Sequence, residues 1–287
     1  MPTRGPETAG PIAREQVERG ADLIIGAGGD GTVNEILQGL VHSDVPLAVL
    51  PGGTANVLAM EMKLGKSIDR VARQLGDWRS HRISVGHVKC GEKTSRYFLL
   101  MAGIGLDARI VYQVSAALKA RTGKFAYWVA GWSLVGRSLP QMQVEIDGNR
   151  RQCSFALVSK VRNYGGDFEI ARSVSLFDDD FEAVLFEGKT SLPYIKYFAG
   201  MALNRLAGMN GVTVLRAGSV RLTSPGDSRI YVQVDGEFAG RLPAEISIVP
   251  NAVSLLIPPD YETCHSATHR TATVRDRPEQ RTTSRTS

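Results

Sequence analysis

Two short stretches constrain the fold of this chain more than anything else in it: "ADLIIGAGGDGTVNE", residues 21–35, and "VPLAVLPGGTANV", residues 45–57. In each, an apolar run meets a glycine-rich turn and passes directly into a helix-like pattern. After the first turn Val33, Ile36, Leu37, Leu40 and Val41 recur at helical spacing, and Thr32 with Glu35 has the spacing of a capping box. After the second, Thr54 is the expected N-cap of "ANVLAMEMKLG". Two consecutive strand, turn and helix units imply a parallel sheet with both turns at its carboxyl edge, where open α/β sheets bind ligands. A further short helix is expected over residues 12–19, "IAREQVER".

The texture changes at about Arg82. Runs such as "RISVGHVKC", "MQVEID", "CSFALVSK", "AVLFEG" and "EISIVP" are short, β-branched and separated by turn residues, as in an antiparallel sandwich or barrel. One helical insertion, residues 107–137, interrupts them. After Pro258-Pro259 the chain becomes polar and rich in Arg, Thr and Ser, so it offers little apolar surface to offset the entropy of ordering. The expected fold class is therefore an α/β N-terminal domain followed by an all-β sandwich domain with a helical insertion. The expected boundaries are 1–81 for the α/β nucleotide-binding domain, 82–259 for the sandwich and 260–287 for a disordered tail. With 43% hydrophobic content, 287 residues suffice for two modest cores.

Several functional classes are disfavoured. The most apolar long stretch, Phe125 to Gly136, falls short of the roughly 20 residues a membrane-spanning helix needs. The N-terminus has no apolar secretory region, and the three cysteines are odd in number and far apart, which argues against a disulfide framework or a zinc site. A reducing cytoplasm is the expected location. The net charge of +5 favours anionic partners in general. Trp128 and Trp132 fall on one helical face near Lys119, Arg121, Lys124 and Arg137, where contact with the inner face of an anionic membrane is an alternative to core packing.

The first turn poses a chemical question, because glycine turns at helix N-termini usually cradle phosphates and Asp30 puts a carboxylate among them. Gly26, Gly28 and Gly31 formally match a dinucleotide fingerprint, yet the ribose-binding acid expected about 20 residues on is absent. Asp30 could be an ordinary N-terminal helix acid. A carboxylate beside a phosphate is also tolerable when it works through Mg²⁺, through a metal-bound water, or by taking a proton from an attacking hydroxyl. The second turn, Pro51 to Asn56, could be a plain capping turn or a second anion cradle, with Thr54 and Asn56 adding hydrogen bonds. Asp235-Gly236 reads as a hairpin turn, and Asp178-Asp179-Asp180 as a solvated acidic turn.

The pair "GGDGTVNEI" and "PGGTANVLA" resembles the diacylglycerol kinase catalytic family, specifically the soluble bacterial lipid kinases related to sphingosine and ceramide kinases. Further matches follow in order: "AGIGLDA", "GKFAYW", "NYGGDFEIA", "SLFDDDFEAVLF" and "VDGE". The resemblance implies a kinase that uses ATP and Mg²⁺ to phosphorylate the hydroxyl of diacylglycerol or a related lipid at a membrane surface. It implies Asp30 and Glu237 as the catalytic pair, with the general base open between them. It implies nucleotide contacts from Gly28, Gly29, Gly31, Thr32, Glu35, Gly52, Gly53, Thr54 and Asn56, and a metal-linked network through Asp178 and Asp30. A homodimer is compatible with it, and no nucleic-acid partner is expected. Two alternatives share parts of the pattern: an NAD kinase-like enzyme, and a truncated pseudokinase that binds nucleotide or lipid without turnover. The resemblance also implies an N-terminal α/β domain truncated by the family's first strand and helix unit, and three positions depart from the family pattern. Val57 replaces a common Asp, Ser84 stands where Asp-x-Gly is common, and Asp179 replaces the usual glycine after Asp178.

Overall fold

The computed structural model describes residues 1–265 except 93, 106–137, 165–167, 191, 192, 194, 195, 198, 199, 202–204, 227 and 228. The helical insertion expected over residues 107–137, with its two tryptophans and basic residues, lies outside the described residues, as do residues 266–287.

The expected α/β pattern is present. Helix α1 (Ala9–Glu18) leads into β1 (Ile24–Gly28), helix α2 (Asp30–Leu40), β2 (Leu47–Pro51), the short helix α3 (Val57–Glu61) and α4 (Ile68–Gln74). Strands β1 and β2 pair in parallel, Gly26 opposite Val49 and Gly28 opposite Pro51, so both glycine turns leave the same edge. The apolar face of α2 is buried as its spacing predicts, with Leu37 and Leu40 fully covered.

The remaining strands are β3 (Arg79–Cys90), β4 (Thr94–Phe98), β5 (Met101–Gly105), β6 (Met142–Ile146), β7 (Asn149–Cys153), β8 (Phe155–Ser159), β9 (Asn163–Tyr164), β10 (Phe168–Glu169), β11 (Phe181–Phe186), β12 (Val212–Ala217), β13 (Ser219–Thr223), β14 (Tyr231–Val234), β15 (Glu237–Arg241) and β16 (Ala244–Ile257). Six of them form an antiparallel sheet in the order β12, β11, β8, β5, β14, β15. The other large sheet has eight strands and runs from β1 and β2 through β16 to β13, β6 and β7, with β3 and β4 attached through β16. Strand β16 is the spine. It pairs antiparallel with β13 and β3 and, at Leu255 opposite Leu47, parallel with β2. One continuous sheet therefore carries the α/β segment into the sandwich.

The run "FALVS" in β8 is buried at every position because both of its faces are covered. Ala156 and Val158 face the core between the sheets with Phe98, Ile104 and Phe181, whereas Phe155 and Leu157 belong to the core that also contains Leu37, Val49 and Tyr261. The start of the expected disordered tail is ordered instead. Residues 259–265 are helical, and Tyr261 is fully buried, with its hydroxyl donating to Glu61 Oε1 at 3.0 Å and accepting from Leu176 N at 3.2 Å. One large aromatic with two buried partners supplies the anchoring that the composition of the segment does not suggest.

Candidate functional site

The two glycine turns lie backbone against backbone. A Cβ on Gly53 would sit 2.4 Å from Gly29 Cα, and one on Gly52 would sit 3.2 Å from Gly28 Cα. Any side chain there would wedge the turns apart, which is the physical reason for glycine at both. Gly52 N donates to Gly28 O at 2.9 Å, tying one turn to the other. Asn56 closes the second turn on itself, its Oδ1 accepting from Gly53 N at 2.8 Å and its Nδ2 donating to Gly53 O at 2.7 Å. Asn56 is thus a brace of the turn, held in a left-handed conformation with φ of 48°.

Three capping assignments differ from the sequence expectation. Helix α2 starts at Asp30 rather than after Thr32, with Gly29 as a cap that offers no side chain. Glu35 makes no capping box. Its carboxylate accepts instead from Glu7 N at 2.8 Å and Ala9 N at 3.0 Å and so caps α1. Helix α3 starts at Val57 rather than after Thr54, and Asp30 caps it, accepting from Val57 N at 3.0 Å and Leu58 N at 3.2 Å. Asp30 therefore fixes the second glycine turn to the first through its helix, an N-cap supplied from 27 residues upstream. Burial pushes its carboxyl above the ordinary range, against the opposing pull of the Val57 and Leu58 amides. Thr32 packs over Gly28, and Thr54 is exposed on the turn.

Glu237 arrives at this place from the other end of the chain. Its Oε1 lies 3.3 Å from where a Cβ on Gly31 would be, so the carboxylate rests over the first turn of α2. Glu237 is exposed, and none of the described residues hydrogen-bonds its carboxylate. What delivers it is a tight hairpin. Asp235 (φ 49°) and Gly236 (φ 83°) both take the left-handed conformation that a two-residue turn of this hand requires. The Asp235 side chain, 7% exposed, accepts from Leu99 N, Leu100 N and Met101 N, each at 3.0 Å, and from Asn34 Nδ2 at 2.8 Å. Burial raises its carboxyl to about 6 despite these donors.

Asn34, fully buried on α2, also donates to Tyr97 O at 3.0 Å and accepts from Arg96 Nε at 2.9 Å. It binds α2 to β4 and to the Asp235 hairpin in one step. Sequence reasoning passed over Asn34. The available signal was a polar residue beside Val33 and Leu37 on the apolar face of a helix. For Asp235 the hairpin reading holds, and the turn places Glu237 over the glycines.

The acidic turn at residues 178–180 is occupied differently. Asp178 accepts from Ser175 N at 2.9 Å and from Arg216 Nη2 at 2.9 Å, and Asp180 accepts from Arg216 Nε at 2.9 Å. Ser84 Oγ donates to Asp179, so two of the departures from the family pattern are partners of each other. The fully buried Lys160 donates through Nζ to the Asp178 carbonyl. These donors do not suit Asp178 and Asp30 as a joint metal site. The two carboxylates are engaged by different partners, and among the described residues no group of three or more His, Cys, Asp or Glu is placed to hold an ion.

Comparison with known proteins agrees with this architecture. A profile of the diacylglycerol kinase catalytic domain matches residues 1–88, and one of the YegS C-terminal NAD kinase beta sandwich-like domain matches residues 101–257. The chain belongs to the diacylglycerol kinase family. Its relatives in that family include the diacylglycerol kinase of Bacillus subtilis (strain 168), 29% identical over 86% of this chain and 81% of that protein. The diacylglycerol kinase of Mycobacterium tuberculosis (strain ATCC 25618 / H37Rv) is 28% identical over 84% of this chain and 79% of that protein. A diacylglycerol kinase crystal structure from Bacillus anthracis str. Sterne shares the fold, with a TM-score of 0.72 at 23% identity, covering 90% of this chain and 85% of that one. Membership places the chain in a family of lipid kinases. No helix among the described residues is long and apolar enough to cross a membrane.

Proposed function

We propose that this protein transfers the γ-phosphoryl group of ATP to the hydroxyl of diacylglycerol or a related long-chain alcohol presented at a membrane surface. The observation that carries the reading is the position of Glu237, an exposed carboxylate held over Gly31 where two packed glycine turns meet the N-terminus of α2. The first-turn amides of α2 precede its first internal hydrogen bond, Val33 N to Gly29 O at 3.1 Å, and they and the helix dipole favour a phosphate there. The Gly52 and Gly53 amides are already engaged in shaping the turns, so their contribution is shape and close approach. Among the residues expected to touch nucleotide, this leaves Gly28, Gly29, Gly31 and Thr32 at the cradle, Gly52, Gly53 and Asn56 as its frame, and Glu35 as a helix cap outside it.

Glu237 accepts the proton of the lipid hydroxyl as that oxygen attacks phosphorus. A free, exposed carboxylate suits the task better than Asp30, whose two oxygens hold α3 in place. A divalent ion bound with the triphosphate would spread its charge, and neither Asp30 nor Asp178 has the surroundings to carry that ion.

The test is phosphate transfer from ATP to diacylglycerol in mixed micelles, with NAD as the competing acceptor. Glu237→Gln is expected to reduce kcat by about 10²–10⁴-fold with an unchanged melting temperature. Asp30→Asn is expected to raise the KM for ATP and to lower stability together. Equal rates for wild type and Glu237→Gln would refute the assignment of the base, and phosphorylation of NAD in place of lipid would refute the acceptor.

A further inference from the structure

The turn at residues 178–180 concentrates three carboxylates just before β11, and the repulsion among like charges this close is relieved most effectively by a compensating cation. Oxygen-rich turns of this kind are where a hard divalent ion is at home. Here the cationic groups are the chain's own. Lys160 follows the last residue of β8, which pairs with β11, and it is fully buried with its backbone N–H on Leu100 O at 2.8 Å. Its ammonium reaches the carbonyl of Asp178, while Arg216 on β12 spans Asp178, Asp180 and the carbonyl of Ser173. The third acid, Asp179, is met by Ser84 of β3.

We propose that the Lys160 ammonium, backed by the Arg216 guanidinium, takes the place of a divalent cation in the 178–180 turn, so that this element is complete without metal. The arrangement joins β3, β8, β11 and β12 through one charge cluster. A buried lysine is tolerated in such a place because oxygen acceptors surround its charge, and removing it leaves acids with too little countercharge. The cluster includes neither glycine turn nor Glu237, so its composition does not depend on the kinase reading.

Thermal melting of the full chain without nucleotide tests it, in EDTA and in millimolar Mg²⁺ or Ca²⁺. The wild-type midpoint is expected to differ by less than about 1 °C between these buffers. Lys160→Ala is expected to melt about 10 °C lower in EDTA, with Mg²⁺ or Ca²⁺ restoring several degrees because the ion now enters the vacated position. Lys160→Met, which keeps the apolar stem, serves as the second variant should the alanine form fail to fold. A wild-type protein that loses stability in EDTA would overturn the proposal. So would a Lys160 variant that melts with the wild type, or a destabilised one that neither ion rescues.

Discussion

Two acidic turns of this protein look alike as text and are held by opposite means. At Asp235 a buried carboxylate is met by three backbone amides and the Asn34 amide, with no cation among these partners. At residues 178–180 two cations take part: Arg216 pairs with Asp178 and Asp180, and the Lys160 ammonium donates to the Asp178 carbonyl. The first arrangement is directional, since four donors fix one oxygen pair in one place, and it serves to aim Glu237 at Gly31. The second tolerates movement, because charges attract over a range of geometries. Aim is therefore built from hydrogen bonds, and cohesion between strands from charge.

The sharpest way to break this comparison is to remove each acid in turn. Asp235→Ala strands three amides and the Asn34 side chain in the interior and is expected to cost about 3–5 kcal/mol in urea unfolding. If Asp179→Ala costs as much, the distinction between an aiming turn and a cohesive one fails.

The two turns should also tilt stability with pH in opposite directions. Burial raises Asp235 from 3.8 to about 6, so its stabilising contribution is complete below 3.8 and is lost as pH rises through about 6. Desolvation lowers Lys160 from 10.5 to about 8, against the attraction of Asp178, Asp179 and Asp180, so its contribution is complete above 10.5 and is lost as pH falls through about 8. Each limb is worth about 3 kcal/mol. The measurement is the stability difference between wild type and Asp235→Asn across the acid window, and between wild type and Lys160→Met across the alkaline one. A flat difference in either window would remove that limb.

The smallest expected effect concerns Ser84. Ser84→Ala removes one hydroxyl donor from Asp179, and a loss of about 1 kcal/mol is expected in the same unfolding assay. Ser84→Asp would place a second acid against Asp179 and should cost more, which separates loss of a hydrogen bond from like-charge repulsion.

Much of the fold could be read from the chain. The strands β1 and β2, their parallel pairing and the glycine turns were legible because apolar runs, glycines and helical spacing are local patterns. The caps were not. Thr32 with Glu35 formed a plausible local pair, and Thr54 a plausible N-cap, yet the groups that cap α3 and α1 come from 27 residues away at Asp30 and 28 residues away at Glu35. Tyr261 was hidden inside a polar segment because one buried side chain can order a few residues whose average composition argues against it.

The sequence alone determined the order of elements, the family, and the presence of carboxylates among glycine-rich turns, since each rests on residues adjacent in the chain. Only the tertiary structure decided which carboxylate does what. Asp30 became a brace, Asp235 an aiming device, Glu237 the free acid, and Asp178 the partner of Arg216. A carboxylate's role follows from the donors around it, and for Asp235 those donors lie 134–136 and 201 residues away along the chain, brought there by packing that no local pattern encodes.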